Sequence, residues 1–257
     1  GSGKHVVFQE GLVFGGRFDG EVRIGGSTYR QGLQAGTILP DGTAANPADS
    51  LHRIFRAHRF DATWWNAQSD DEKTRLRTDL VEWPVQFGAP WTDANGNGVY
   101  DPDVNAWEQG GVTDTPLLPG DEVFWYVSND LDGSRTSNLY SSPPMGIEVQ
   151  TMIWSSAGHP LLDNVVFRMH TLINKGTATI TDMKLGAWED TDLGDATDDF
   201  TGVDTVLGLM YSYNGRYVDD VYGIPPATGT LWLQTPVVAT SGQPVLMASI
   251  AGSEKPS

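Results

Sequence analysis

The sequence predicts an all-β fold, a β-sandwich-like stack of antiparallel strands with one short helix and long Asp/Gly-rich loops. Three observations lead there. Short apolar runs with period-two alternation recur along the chain, separated by glycine pairs and Asn/Gly turns. A helical period with start and stop signals occurs once, from Ser69 to Pro84. The longest gaps between runs are filled with Asp, Asn and Gly, the residues of turns and oxygen-rich loops. Half-polar sheets must bury their apolar faces, and packing one sheet on another is the expected closure.

At 257 residues and 39% hydrophobic, the chain can bury a large core, and an all-β domain of this length can stand as one unit. Residues 1–250 are therefore expected as a single β-rich domain with a helical insertion near 69–83. The polar tail 251–257 reads as a linker to a following domain. The net charge of −17 repels a phosphate backbone, and no basic stretch offsets it, which excludes nucleic acid as a partner class. Cations, neutral glycans and other proteins remain. Cysteine is absent, so packing, with or without metal ions, must supply the stability. No apolar run reaches the roughly 18 residues of a membrane span, and the first residues do not resemble a signal peptide.

The first 30 residues alternate apolar runs with glycine pairs, Gly15-Gly16 and Gly25-Gly26, and predict a meander that reverses at the glycines. A phosphate nest at Gly25-Gly26-Ser27 is disfavoured because no helix pattern follows. Residues 31–50 form a polar loop. His52 and His58 lie among Arg53, Arg56 and Arg59, where a metal ion would be repelled, so both are expected as surface groups paired with carboxylates. Ser69-Asp-Asp-Glu72 is a capping box; Leu76, Leu80 and Trp83 then share a helical face, and Pro84 ends the helix.

Beyond it lies the stretch with the most chemistry, Trp91-Thr-Asp-Ala-Asn-Gly-Asn-Gly-Val-Tyr-Asp-Pro-Asp103. Asp93, Asn95 and Asn97 alternate, so three side-chain oxygens can converge while Gly96 and Gly98 allow a tight turn. In the order of an EF-hand loop these are positions one, three and five, Val99 offers its carbonyl at seven and Asp101 stands at nine. Val104 replaces the bidentate Glu at position twelve, so a last ligand must be Asp103, Glu108 or a residue from elsewhere. Prolines before and inside the loop exclude flanking helices. The expectation is a Ca2+ loop without a helix-loop-helix frame; the alternative is a solvated Asx/Gly turn.

The β pattern then returns. Residues 122–128 are an aromatic-rich strand. Over residues 146–154, Ile147, Val149 and Ile153 face inward, with Glu148 and Gln150 opposite. Over 164–173, Val165, Phe167, Met169 and Ile173 face inward, leaving Arg168 and His170 on the polar face. Asn174-Lys-Gly176 should turn the chain into a hairpin with 179–188. Further strands are expected at 205–213, 230–234 and 244–250. Between 189 and 204 the chain packs Asp190, Asp192, Asp195, Asp198, Asp199 and Asp204 into one loop, which calls for a divalent cation or for a solvated acidic segment. Asn129-Asp-Leu-Asp132 before Arg135 offers either a metal or an Asp–Arg pair.

Gly1-Ser-Gly-Lys-His-Val-Val-Phe8, Leu12-Val-Phe-Gly-Gly16, Gly25-Gly-Ser-Thr-Tyr-Arg-Gln-Gly32, Asn129-Asp-Leu-Asp-Gly-Ser-Arg-Thr136, and Asp192-Leu-Gly with Asp198-Asp-Phe and Asp204-Thr205 together resemble segments of large secreted proteins of Bacteroidetes-type bacteria. Those proteins commonly end in a type IX secretion sorting domain, which this chain lacks. The resemblance implies an exported, cell-surface multidomain protein of which this is an N-terminal portion, and implies no reaction. The functional expectation is a calcium-stabilised, non-enzymatic extracellular module of a surface fibre, filament or adhesin, with protein subunits or cell-surface glycans as partners. No Gly-x-Ser-x-Gly, His-Glu-x-x-His or phosphate loop is present. Two alternatives stay open: a carbohydrate-binding module using Trp64, Trp65, Trp91, Tyr100 and Trp107, and a glycoside hydrolase with a carboxylate pair.

Overall fold

A computed structural model describes residues 4–29 and 32–234 and bears out a mostly antiparallel β architecture, with four sheets and few helices. The described chain divides into two compact units. One holds residues up to 16 together with 26–29 and 182–234; the other holds 17–25 and 32–181. Residues 244–250, expected as a last strand, and the tail 251–257 lie outside the described residues. No helix among those described is long and apolar enough to cross a membrane.

The chain opens with β1 (Gln9–Phe18) and β2 (Glu21–Gly26). Gly15 and Gly16 do not reverse the chain as expected but run inside β1, where Leu12, Phe14 and Phe18 alternate into the interior. The reversal falls at Asp19 and Gly20, both with positive φ, the backbone that matches the right-handed twist of paired strands.

The second unit continues with β3 (Gln34–Ala35), β4 (Phe55–His58), α1 (Ala62–Ala67), α2 (Asp70–Val81) and β5 (Trp91–Thr92). Then come α3 (Val104–Trp107), β6 (Thr115–Pro116), β7 (Glu122–Asn129), α4 (Gly133–Tyr140), β8 (Ile147–Ser155) and β9 (Val166–Asn174). One antiparallel sheet runs β3-β7-β8-β9, with β4 also paired to β7. Phe55, Val123, Trp125, Val127 and Met152 bury one face of it against Trp83 and Ala89. β5 and β6 make a separate two-stranded ribbon.

α2 follows its sequence signals closely. The Ser69 hydroxyl accepts the Glu72 N–H at 3.2 Å, and Asp70, Asp71 and Glu72 sit at the positive end of the helix dipole. Leu76 and Leu80 pack with Trp65 and Trp107. Three further short helices accompany it, each started by an Asp N-cap and each too short to show a clear apolar period, α3 being only four residues long. The basic island resolves into ion pairs: Arg53 and the Arg56 N–H share buried Asp79, Arg56 also reaches Glu72 and Glu122, and Arg59 meets Asp121. The histidines differ from expectation, because the arginines have taken the carboxylates. His52 is buried with Nδ1 2.7 Å from the Asn46 carbonyl, and His58 stacks on Trp64 with ring centroids 3.5 Å apart.

β8 is buried on both sides. Glu148, expected outward, is 1% exposed and takes the Lys175 ammonium at 2.6 Å and the Ile38 N–H at 2.8 Å. β9 follows expectation in part: Phe167 and Ile173 are half-buried, but Met169, expected inward, is 46% exposed, and His170, expected outward, lies against Thr151, Nδ1 to Oγ1 3.0 Å. After Gly176 the chain does not fold back as a hairpin. β10 (Ile180–Asp190) instead joins β1 and β2 in a three-stranded sheet ordered β10-β1-β2.

In the first unit β11 (Asp199–Asp204), β12 (Leu209–Asn214) and β13 (Ala227–Leu231) form an antiparallel three-stranded sheet. The strand expected over 205–213 is therefore shorter, because 205–208 turn, and part of the expected acidic loop is itself strand.

Candidate metal centre

Against expectation a helix does follow the loop, α3, only four residues long and started by Asp103 beyond Pro102; the loop between β5 and α3 is itself built on side-chain-to-backbone hydrogen bonds. Asp93 accepts the Gly96 N–H at 2.7 Å on one carboxylate oxygen and the Gly98 N–H at 2.8 Å on the other. The Asn95 and Asn97 oxygens each accept the N–H two residues on, from Asn97 at 2.9 Å and Val99 at 2.7 Å. Gly96 and Gly98 have φ of 75° and 74°, a region a Cβ would disfavour. These turns gather Asp93, Asn95, Asn97 and Asp101. The side-chain amides of Asn95 and Asn97 each donate to one oxygen of Asp101 at 3.2 Å.

Asp103, offered by the sequence as a last ligand, points elsewhere: it caps α3, accepting the Asn105 and Ala106 N–H groups. Glu108 pairs with Arg77. Val99 exposes its side chain. A residue that sequence reasoning missed takes the structural role. Asp114 is 1% exposed and accepts the Ala94 N–H at 2.9 Å and the Asp101 N–H at 3.0 Å, clamping both ends of the loop. The Asp101 N–H leads in holding its carboxyl below the usual range. No run or motif marks Asp114 in the sequence.

The residue types suit a hard cation, with two carboxylates and two side-chain amides in one turn, although both amide oxygens accept backbone N–H groups. Asp101 already accepts two side-chain amide N–H groups, and those amides would have to turn their oxygens inward to hold an ion. Charge-assisted hydrogen bonds are worth roughly 1.5–3 kcal/mol each, so that exchange would offset much of what a cation could gain here.

The 190–204 segment is arranged differently. Asp195 caps a short turn through the Thr197 N–H and hydroxyl, and the hydroxyl leads in lowering its pKa. Arg216 lies 3.5 Å from both Asp195 and Asp198. Asp199 is buried and accepts the Leu193 N–H at 2.9 Å; Asp204 accepts the Val206 and Leu207 N–H groups in the β11–β12 turn. Asp190 ends β10, and Asp192 lies 3.9 Å from His5. Among the described residues, no three acidic or histidine side chains converge as a metal group. In the third motif, Asp132 pairs with Arg135 at 2.9 Å and caps α4, and buried Asp130 anchors the N–H groups of Met145, Gly146 and Ile147. Burial pushes the Asp130 pKa up against those three donors.

The aromatic residues suggested as a sugar platform pack inward: Trp65 and Trp107 are buried, and Trp91 and Tyr100 lie on the main core, where the Tyr100 hydroxyl donates to the Leu80 carbonyl at 2.6 Å.

No family model matches this chain, and no solved structure matches it. A stretch of 69 residues is 30% identical to sulfate adenylyltransferase subunit 2 of three Mycobacterium sp. strains, KMS, JLS and MCS. That stretch is 26% of this chain and 22% of the mycobacterial protein, so the chain spans about a fifth of the length of these curated relatives. A likeness so short defines no shared family.

Proposed function

We propose that this chain is a calcium-stabilised, non-catalytic module of an exported protein, serving in a surface fibre or adhesin. The observation that carries the reading is the 93–101 turn, where Asp93, Asn95, Asn97 and Asp101 are gathered over two glycines and clamped from beneath by Asp114. Such a loop suits the millimolar calcium of extracellular media, where modules bind at roughly 10⁻⁴–10⁻³ M. The resemblance to secreted bacterial proteins supports the same location.

The test is thermal unfolding in calcium, in magnesium at equal ionic strength, and in chelator. A native-state ligand adds about 2.7 kcal/mol at a hundredfold excess over Kd, so Tm should rise by several degrees in calcium and fall in chelator. Asp93→Ala and the isosteric Asp101→Asn should each remove most of the response; Asp204→Asn should keep it. A full response in both loop variants would overturn the assignment and direct attention to residues 190–204.

A further inference from the structure

Three Asn-Gly dipeptides occur in the chain, at 95–96, 97–98 and 214–215. An asparagine before glycine is open to ring closure, because the next peptide nitrogen can attack the side-chain carbonyl and glycine brings no Cβ to obstruct it. Asn95 and Asn97 stand on the exposed turn between β5 and α3. The Asn95 Oδ1 accepts the Asn97 N–H at 2.9 Å, and the Asn97 Oδ1 accepts the Val99 N–H at 2.7 Å. Such a turn folds each side chain forward over the peptide bond that follows it, which sets Cγ beside the glycine nitrogen. The same N–H donor rests on the oxygen that gains negative charge when Cγ is attacked. Asp93 accepts the Gly96 and Gly98 N–H groups at 2.7 and 2.8 Å, so the proton that each nitrogen sheds has a carboxylate within reach. At the point a Cβ would occupy on either glycine, no other part of the chain lies within 4 Å, so the approach is open.

Asn214 makes the same turn in the interior, its Oδ1 accepting the Arg216 N–H at 3.0 Å. It is 9% exposed, and its amide donates to buried Asp219 at 2.9 Å and to the Leu193 carbonyl at 3.3 Å. The Gly215 N–H donates to the Asp198 carbonyl at 2.9 Å. Burial here keeps out water, the second reactant, and ring closure would break all three of these hydrogen bonds where no solvent replaces them.

We infer that Asn95 and Asn97 are self-modifying positions, which deamidate in the native protein while Asn214 does not. The glycine nitrogen bonds to Cγ and loses its proton, and the side-chain nitrogen departs as ammonia, closing a succinimide. Water then opens the ring at either carbonyl to give an aspartyl or an isoaspartyl residue. One water enters and one ammonia leaves. Each conversion replaces an amide that donates to Asp101 at 3.2 Å with a carboxylate that repels it. The isoaspartyl product also adds a carbon to the main chain between Asp93 and the N–H groups that Asp93 holds. The turn therefore loosens with age and the protein grows more acidic. None of this requires a bound cation.

Peptide mapping by mass spectrometry tests this, after incubating the chain in chelator at pH 8.5 and 37 °C, in buffer alone and in 6 M guanidinium chloride. In buffer, Asn95 and Asn97 should each gain one dalton at least tenfold faster than Asn214, with isoaspartyl product identified by electron-transfer fragmentation and ammonia released in equal amount. In denaturant all three should convert at rates within a few-fold of one another, since only the dipeptide then matters. Equal rates at Asn95, Asn97 and Asn214 in buffer would overturn the inference, because burial would not be selecting the site. So would rates at Asn95 and Asn97 tenfold lower in buffer than in denaturant, which would mean that the hydrogen bonds to Asp93 and Asp101 guard the amides instead of presenting them.

Discussion

His170 shows how one residue's surroundings decide its chemistry. Burial first, and then the charge of Arg168, push its pKa down to about 4. The folded state thus prefers the neutral ring, and its contribution is fully present above the unfolded value near 6.5 and lost as pH falls toward 4. At about 1.4 kcal/mol per pKa unit the loss reaches up to about 3 kcal/mol. Urea unfolding at pH 7.5, 6.0 and 5.0 should show wild type weakening faster than His170→Gln; parallel decline in both would refute the assignment. The sequence placed His170 on a polar face because Arg168 and His170 share one parity while Val165, Phe167, Met169 and Ile173 share the other. What it could not convey is that Met169 is exposed while His170 is drawn in against Thr151. Asp114 was equally hidden, since its role depends on Ala94 and Asp101 N–H groups brought to it by the fold. Asp93, Asn95 and Asn97 were legible because their hydrogen bonds are local, two to five residues along the chain.

The same divide between local and long-range causes runs through the elements. α2 starts and ends within a residue or two of its signals because capping box and proline act within one turn. β7 and β8 follow their apolar runs for a related reason, as central strands have covered neighbours on both sides. The partner of β10 was not legible: a short Asn-Lys-Gly linker permits a hairpin with β9, but sheet membership is decided by β1, far away in sequence. Similarly β11 was hidden under its aspartates, whose hydrogen bonds to Leu193, Val206 and Leu207 N–H groups make them compatible with strand ends. For α2 the local account is testable. Ser69→Ala removes the acceptor for the Glu72 N–H and should lower stability by about 1 kcal/mol, with Ser69→Asp retaining it. Equal stability of Ser69→Ala and wild type would mean that Leu76, Leu80 and Trp83 hold the helix alone.

Across the whole molecule, 33 acidic residues face 16 basic ones, and the basic groups are largely committed to ion pairs. The residual field is repulsive and acts over the Debye length, about 30 Å at 0.01 M and 3 Å at 1 M ionic strength. Self-repulsion of this kind penalises the compact state more than the expanded one. Raising sodium chloride from 10 mM to 0.5 M in chelator should therefore increase Tm steadily, and potassium should serve as well as sodium, because screening depends on ionic strength and not on ion identity. The proposed calcium response should differ in kind: it is expected to saturate at millimolar concentration, to exceed that of magnesium at equal ionic strength, and to disappear in Asp101→Asn while the sodium chloride response stays. Were Tm to fall with sodium chloride in chelator, the pairs at Arg56, Arg77 and Lys175 would outweigh the net charge, and stability would rest on attraction between close charges instead of relief of distant repulsion.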